Sequence, residues 1–208
     1  MKPVIIVPGN GGSVLVKHNH EHRHIFSRKI IDNRWMHIEP ISPFRHQKWL
    51  KDNHVSIATN NDNKIIGFAD YDTSIVPYDV GGIKGICNIV PEFNFLSKKH
   101  YEELDQLFNH TYCLQLCETL KQNNINVAGL PYDFRLIVDP KVRKHTYKVF
   151  KHQIEHTVKH NHGNPAIVVC HSLGGIMFKH FLGSFVTDEW IANHIDMFVS
   201  LNVPYGGS

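Results

Sequence analysis

Residues 168–175 read Val-Val-Cys-His-Ser-Leu-Gly-Gly, and this stretch decides the fold. An apolar run at residues 166–169 leads into it, and an apolar helical pattern from Leu173 to about Phe185 follows it. A serine between such a strand and such a helix is typical of a nucleophile elbow, a sharp corner that pushes one hydroxyl out at the edge of a sheet. Ser172 is therefore the candidate nucleophile. The alternative is a serine that caps an ordinary helix.

The residues around Ser172 are small, as a tight corner requires, because neighbouring backbone comes close there. Gly174 and Gly175 follow the serine, and Cys170 stands two positions before it, where a glycine is usual. The N–H groups at the start of the helix face any negative charge that develops at the corner, and the helix dipole favours it. The Leu173 N–H is thus the first predicted oxyanion donor.

A glycine-rich loop follows the first predicted strand. Residues 3–7, Pro-Val-Ile-Ile-Val, form an apolar run without polar alternation, which favours a strand covered on both faces. The run stops at residues 8–12, Pro-Gly-Asn-Gly-Gly, where the glycines permit a tight turn. Because the second oxyanion donor of such a site normally comes from the loop after an early strand, we assign it to the Asn10 N–H.

The rest of the second half alternates strand and helix patterns. Pro140 suits the start of an amphipathic helix that reaches His160. Its predicted apolar face carries Tyr147, Phe150, Ile154 and Val158. The other predicted helices cover residues 98–109 (with Ser97 as N-cap), 111–122, 173–185 and 188–194, and the predicted strands cover residues 127–130, 166–169 and 197–201. This alternation is typical of βαβ units and predicts an α/β fold with a mostly parallel sheet.

The stretch from residue 18 to residue 96 has a different character. It mixes His, Asn and Asp with scattered large apolar residues, so we expect an insert of short elements rather than part of the main sheet. Within it, residues 18–78 are predicted to be an inserted subdomain. Residues 79–85 are predicted to be a loop because three of the seven are glycine.

Four ordered segments resemble the family of lecithin:cholesterol acyltransferase and lysosomal phospholipase A2. Residues 4–13 resemble its first strand and oxyanion loop, and residues 170–175 resemble its elbow. Residues 126–135 resemble its G-x-P-Y-D-W-R segment, with Phe134 in the place of Trp. Residues 199–208 resemble the strand and loop that follow the elbow. The resemblance implies an α/β-hydrolase-type fold, with helices on both faces of the sheet, that is incomplete at the C-terminal side.

The resemblance also implies chemistry on ester-linked acyl chains of lipids. A phospholipid or other lipid ester would acylate Ser172, and the acyl group would pass to water, a sterol, diacylglycerol or another alcohol. No metal or organic cofactor is implied. In relatives a small subdomain near the N-terminus touches the membrane, and residues 18–78 would correspond to it. Its candidate lipid contacts are Trp35, Phe44, Trp49 and Leu50; the alternative is that these side chains pack inside the insert.

A recognisable triad acid and histidine are missing. In this fold both follow the serine, on loops after later strands. The groups that follow Ser172 include Asp188, Glu189, His194 and Asp196, which lie on the elements next to the elbow. His171 adjoins Ser172, but neighbours at such a corner point apart, and we expect neither His171 nor His180 to act as a local base. We therefore expect residues 1–208 to form a partial domain whose sheet is open at one edge.

Three hypotheses follow. The first is a lipid O-acyltransferase or phospholipase that acts through an acyl-serine intermediate at Ser172; the missing part of the domain would be a complementing C-terminal chain or be lost. The second is a catalytically inactive or split remnant that binds lipid or a partner chain. The third is a soluble serine esterase.

Composition restricts the remaining possibilities. Lys and Arg number 22 against 19 Asp and Glu, a net charge of +3 that is spread along the chain and gives no argument for nucleic acid. His18, His20, His22 and His24 alternate, as a zinc-binding strand would require, but an AT-rich genome also explains the 17 histidines, and we predict no metal. Met1-Lys2-Pro3 leads straight into a strand, which predicts a cytoplasmic or peripheral membrane protein without a signal peptide.

Overall fold

A computed structural model of the chain describes residues 1–18, 31–33, 54–71, 73, 75–87 and 113–207. The strands in these segments are β1 Val4–Val7, β2 Leu15–His18, β3 Ile31–Asn33, β4 Val55–Thr59, β5 Ile65–Tyr71, β6 Ile75–Pro77, β7 Val127–Gly129, β8 Ala166–His171 and β9 Ile195–Leu201. The helices are α1 Lys84–Cys87, α2 Leu114–Gln122, α3 Pro140–His160, α4 Leu173–Ser184 and α5 Asp188–His194.

The main sheet has four parallel strands in the order β7-β1-β8-β9. Its central strands are the most apolar: all four residues of β1 are buried, because both faces of the strand are covered. Parallel strands place all their carboxyl ends at one edge, so the loops after β1, β7, β8 and β9 meet there. The predicted α/β-hydrolase-type fold class is confirmed.

Helices cover both faces of this sheet. On one face Ile5 and Val7 of β1 join a core with Phe150 of α3, Phe181 of α4 and Trp190 of α5. On the other face Val4 and Ile6 join a smaller core with Ile86 and Cys87 of α1 and Cys117 of α2. The period of two along β1 thus separates the two cores.

The helix boundaries follow local signals in the sequence. Asp139 caps α3 by accepting hydrogen bonds from the N–H groups of Lys141 and Val142, and Pro140 occupies the first helical turn. Thr187 caps α5 through the N–H of Trp190. The four residues predicted to line the apolar face of α3 are all buried, as expected.

Two small antiparallel sheets are formed by the strands that lie between β1 and α1 in the sequence. Strands β3, β2 and β6 form one, and β4 and β5 form a hairpin with two irregularities in its register. None of the described strands between residues 15 and 77 joins the main sheet. The hairpin is held to the main domain by Asp139, whose second carboxylate oxygen accepts the Phe68 N–H at 3.2 Å.

One boundary prediction was wrong. Residues 79–85 were expected to be a loop throughout, but Lys84 and Gly85 open the short helix α1. The Asp79 carboxylate accepts the Lys84 N–H at 2.8 Å and so starts this turn. The predicted helix at residues 98–109 lies outside the described residues, as does the start of the one predicted from residue 111.

Candidate active site

Ser172 stands at the corner between β8 and α4 in a strained backbone conformation. Its φ is 50° and its ψ is −127°, a region that residues other than glycine rarely adopt. The Ser172 N–H donates to the Leu201 carbonyl at 3.0 Å, which ties the corner to the end of β9. The side chain is partly exposed and makes no capping hydrogen bond. The geometry is therefore that of an elbow, and it differs from the side-chain caps at Asp139 and Thr187.

The glycine-rich loop after β1 lies directly against this corner. A Cβ on Gly9 would come within 2.9 Å of both the Ser172 Cβ and the His171 Nδ1, so only glycine fits there. The Gly12 N–H donates to the Gly9 carbonyl at 3.1 Å and closes a turn in which Gly11 has a φ of 74°. Asn10 sits exposed at the tip of this turn.

The two glycines after Ser172 allow the close packing of three loops. A Cβ on Gly174 would collide with the carbonyl oxygens of Val7 and Pro8, and one on Gly175 would collide with the Val203 side chain. Helix α4 therefore starts in contact with the ends of β1 and β9. This packing brings the predicted site residues Asn10, Ser172 and Leu173 to the same edge of the sheet.

The main-chain amides of Asn10 and Leu173 are available at this edge. Neither N–H has a hydrogen-bond acceptor among the residues that the structure describes. Leu173 is the first residue of α4, where N–H groups lack helical partners. Both amides can therefore donate to an anionic oxygen.

Cys170 replaces the usual glycine without disturbing the corner. Its side chain is fully buried in the core formed with α3 and α4. Burial raises the pKa of the Cys170 thiol well above its usual range, so the group stays neutral. It acts there as a small apolar residue.

The segment after β7, at the same edge of the sheet as Ser172, contains a buried ion pair. The Arg135 guanidinium donates to both oxygens of the Asp133 carboxylate, at 2.9 and 2.7 Å, and both side chains are less than a tenth exposed. Next to it, the buried Ser13 hydroxyl accepts the Tyr132 N–H at 3.0 Å. Ser13 thereby joins the glycine-rich loop to the segment that carries the ion pair.

Three of the other candidate acids and bases make their contacts away from Ser172. Asp196 pairs with Lys2, at the amino ends of β9 and β1, which is the opposite edge of the sheet. His194 Nδ1 contacts the Trp190 carbonyl within α5. His180 contacts the hydroxyls of Tyr147, at 3.0 Å, and Ser184, at 2.9 Å.

Tyr147 belongs to the core rather than to the site. Burial raises its pKa to about 12, so its hydroxyl stays protonated and donates to the Met177 carbonyl.

In the described segments no group of three or more His, Cys, Asp or Glu side chains is arranged to hold a metal ion. Of the four alternating histidines, His20, His22 and His24 lie outside those segments.

Comparison with known proteins identifies the family. The profile of the lecithin:cholesterol acyltransferase family matches residues 90–208. The chain belongs to this family. The lecithin:cholesterol acyltransferase match spans α2 to β9 and includes the elbow, and so confirms the resemblance drawn from the sequence.

Individual relatives extend the match toward the N-terminus. Lecithin-cholesterol acyltransferase-like 1 of Arabidopsis thaliana is 27% identical over 226 residues, which cover 99% of this chain and 49% of that protein. Lysosomal phospholipase A and acyltransferase of Mus musculus is 23% identical, covering 99% of this chain and 47% of its own. Phosphatidylcholine-sterol acyltransferase of Mus musculus is 30% identical over 62% of this chain. The chain thus spans about half the length of the first two relatives.

Sequence reasoning missed some residues that shape the edge of the sheet around Ser172. Ser13 was quoted within a motif, but its bond to the Tyr132 N–H depends on folding two distant segments together. Asn202, just after β9, has a φ of 47°, and the surrounding sequence does not predict this left-handed conformation. Asp139 could have been found, because an Asp before Pro140 is a helix-start signal.

Proposed function

We propose that this chain supplies the nucleophile part of a lipid O-acyltransferase or phospholipase, with Ser172 forming the acyl-serine intermediate. The observation that carries the proposal is the strained, uncapped and partly exposed Ser172 at the carboxyl edge of the sheet, against the Gly9 turn. The names of the relatives support a lipid ester as substrate. We propose a phospholipid as the acyl donor.

The chemistry would proceed in two acyl transfers. The Ser172 Oγ attacks the ester carbonyl carbon, and the carbonyl electron pair moves to oxygen. The N–H groups of Asn10 and Leu173 would donate to this oxyanion. Collapse of the tetrahedral species expels the donor's alcohol and leaves the acyl group on Ser172. Water or an acceptor alcohol then repeats the attack and frees the serine.

A base must accept the Ser172 proton and return it to the leaving alkoxide. His180 and His194 are engaged elsewhere, and Asp196 lies at the opposite edge. We propose that a segment outside the described residues, on this or on a complementing chain, contributes the histidine and its acid. This proposal is supported by β9, which pairs only with β8 among the described strands.

The exposed side of β9 fits such an addition. Met197 and Leu201 are large apolar residues on the same face of β9, yet they are 54% and 42% exposed. Among the described residues, the smaller core that α1 and α2 cover reaches β8 and includes neither Met197 nor Leu201. An uncovered apolar strand at a sheet edge is a surface onto which further strands pair.

We also propose that residues 18–78 form an inserted subdomain that contacts the membrane surface. Within this range, Ile57 of β4 and Ile66 of β5 are more than half exposed. Trp35, Phe44, Trp49 and Leu50 lie outside the described residues. None of the described helices is both long and apolar enough to cross a bilayer.

An assay on phosphatidylcholine vesicles tests the function. The chain is measured alone and with the polypeptide encoded directly downstream of Ser208, with and without an acceptor alcohol. We expect acyl release or transfer that Ser172→Ala abolishes. Vesicle binding without ester turnover in either case supports the inactive remnant. Turnover of short soluble esters that vesicles do not enhance supports the soluble esterase.

A further inference from the structure

Two buried thiols meet between the helices that cover the second face of the main sheet. Cys87 ends α1 and Cys117 lies in the middle of α2, and their Sγ atoms are 3.5 Å apart. Their exposures are 1% and 0%. Neither thiol takes part in the chemistry proposed for Ser172.

The contact makes the two thiols chemically unequal. The Cys87 S–H donates to the Cys117 Sγ, and this hydrogen bond lowers the pKa of Cys117 while it raises the pKa of Cys87. Cys117 is therefore the thiol that ionises first. Cys113, the residue just before α2 and four positions before Cys117, is partly exposed.

We propose that Cys87 and Cys117 are a redox-active pair that a peroxide converts to a disulfide joining α1 to α2. The Cys117 thiolate attacks one oxygen of hydrogen peroxide, the O–O bond breaks, and a sulfenic acid and water form. The Cys87 sulfur then attacks the Cys117 sulfur and expels the second water. Two electrons leave the sulfurs and reduce the peroxide, and the two thiol protons end in water.

The required movement is small. A disulfide bond is about 2.05 Å long, so the sulfurs must approach by about 1.5 Å from their 3.5 Å contact. Cys87 belongs to a helix of only four residues, which can shift more easily than a long helix. The bond would join two residues that are 30 positions apart in the sequence.

Oxidation would also stiffen the support of the glycine-rich loop. The Val14 N–H, just after that loop, donates to the Gly85 carbonyl of α1 at 2.8 Å. Ile86 of α1 packs against Gly129 of β7. A bond from Cys87 to α2 therefore fixes the element on which this part of the loop rests. The inference goes beyond the proposed function and does not depend on it.

Peptide mapping of the unaltered chain tests the proposal. The protein is treated with hydrogen peroxide or with dithiothreitol, alkylated and digested. We expect four alkylated cysteines after reduction, but after oxidation two, Cys113 and Cys170, with a peptide pair linked through Cys87 and Cys117. The oxidised protein should melt roughly 5–10 °C higher, since closing such a loop restricts the unfolded chain.

Matched variants separate this pair from the other thiols. Cys87→Ser and Cys117→Ser should each abolish the linked peptide and the shift in melting temperature, and Cys170→Ser and Cys113→Ser should keep both. Four alkylated cysteines after peroxide treatment would overturn the proposal, and so would a link that involves Cys113 or Cys170. An unchanged melting temperature in a protein with the Cys87–Cys117 link would contradict the stabilisation expected from restricting the unfolded chain.

Discussion

At the scale of single residues, the backbone of Ser172 is held against its own preference. A non-glycine residue in such a region costs about 1–3 kcal/mol, and the packing of the neighbouring loops maintains it. We expect Ser172→Gly to stabilise the chain by about 1 kcal/mol, because glycine removes the strain but adds freedom to the unfolded chain.

Ser172→Ala is the matched control for this prediction, because alanine keeps the Cβ and hence the strain. Its stability should equal that of the parent in urea unfolding. If Ser172→Gly is no more stable than Ser172→Ala, the corner is not strained in solution.

The glycines of α4 give a second prediction at this scale. Gly174→Ala places a methyl against the carbonyl oxygens of Val7 and Pro8, and backbone cannot move aside as a side chain can. We expect a loss of about 1–3 kcal/mol in unfolding free energy. Gly183→Ala on the same helix meets nothing within 4 Å and should be neutral or stabilising by up to about 1 kcal/mol. Equal effects of the two substitutions in urea unfolding would contradict the close packing of α4 on β1.

At this scale the sequence predicts the identity of the candidate nucleophile but not its surroundings. A serine between an apolar run and two glycines is a local pattern, so Ser172 can be picked out directly. The contact of Gly9 with Ser172 joins residues more than 160 positions apart, and only the parallel pairing of β1 with β8 creates it. The oxyanion roles of Asn10 and Leu173 remain predictions.

At the scale of elements, Asp139 connects α3 with the β4–β5 hairpin. Burial alone would raise the pKa of its carboxyl, but the N–H groups of Phe68, Val142 and Lys141 donate to the carboxylate, and the net pKa is lowered. The ionised Asp139 carboxylate therefore contributes its full stabilisation at pH values above the pKa of the unfolded chain, about 4. This stabilisation is lost as the pH falls through the lower pKa of the folded state.

This balance predicts the behaviour of Asp139→Asn. The variant should lose about 1–2 kcal/mol of unfolding free energy at pH 7, since it weakens a helix cap and the hairpin contact. The difference from the parent should shrink as the pH falls below about 4, as measured by urea unfolding at several pH values. Asp62→Asn, in the exposed turn of the same hairpin, is the control and should show no such difference. A constant deficit at every pH would contradict the role of the ionised carboxylate.

The longer elements could be predicted because their signals are local. Helix α3 has a cap, a proline in its first turn and a periodic apolar face, and it was predicted from Pro140 to His160, as observed. The three- to seven-residue strands of the small sheets lack such signals, since their pairing depends on distant partners. The four-residue helix α1 is too short to show a period, and its glycines favoured a loop.

At the scale of the whole molecule, the surface of the small hairpin predicts membrane binding. Ile57 and Ile66 are 57% and 56% exposed. Replacing both by serine should weaken partitioning onto phosphatidylcholine vesicles, measured by co-sedimentation, by about 100-fold or more, because each isoleucine contributes about 1.5–3 kcal/mol when it leaves water. Leu116→Ser, at an exposed apolar position of α2, should not change binding. Equal losses from both changes would place the contact elsewhere.

The order of the strands in the main sheet determines which loops lie next to Ser172. Strand patterns predict a parallel sheet, but they do not give the order β7-β1-β8-β9, which brings the glycine-rich loop beside the elbow. The exposed Met197 and Leu201 on β9 follow from the same order, since β9 lies beyond the strands that α1 and α2 cover. The site and the uncovered strand are thus consequences of one topology.

The central claim is that Ser172 is the reactive nucleophile, and covalent labelling tests it most directly. The chain, alone and with the polypeptide encoded downstream, is treated with a fluorophosphonate, and the modified peptide is located by mass spectrometry. We expect a single adduct on Ser172, which is absent in Ser172→Ala and retained in Ser184→Ala, a control at an exposed serine of the same helix. An adduct on another serine, or no adduct under either condition, would contradict it.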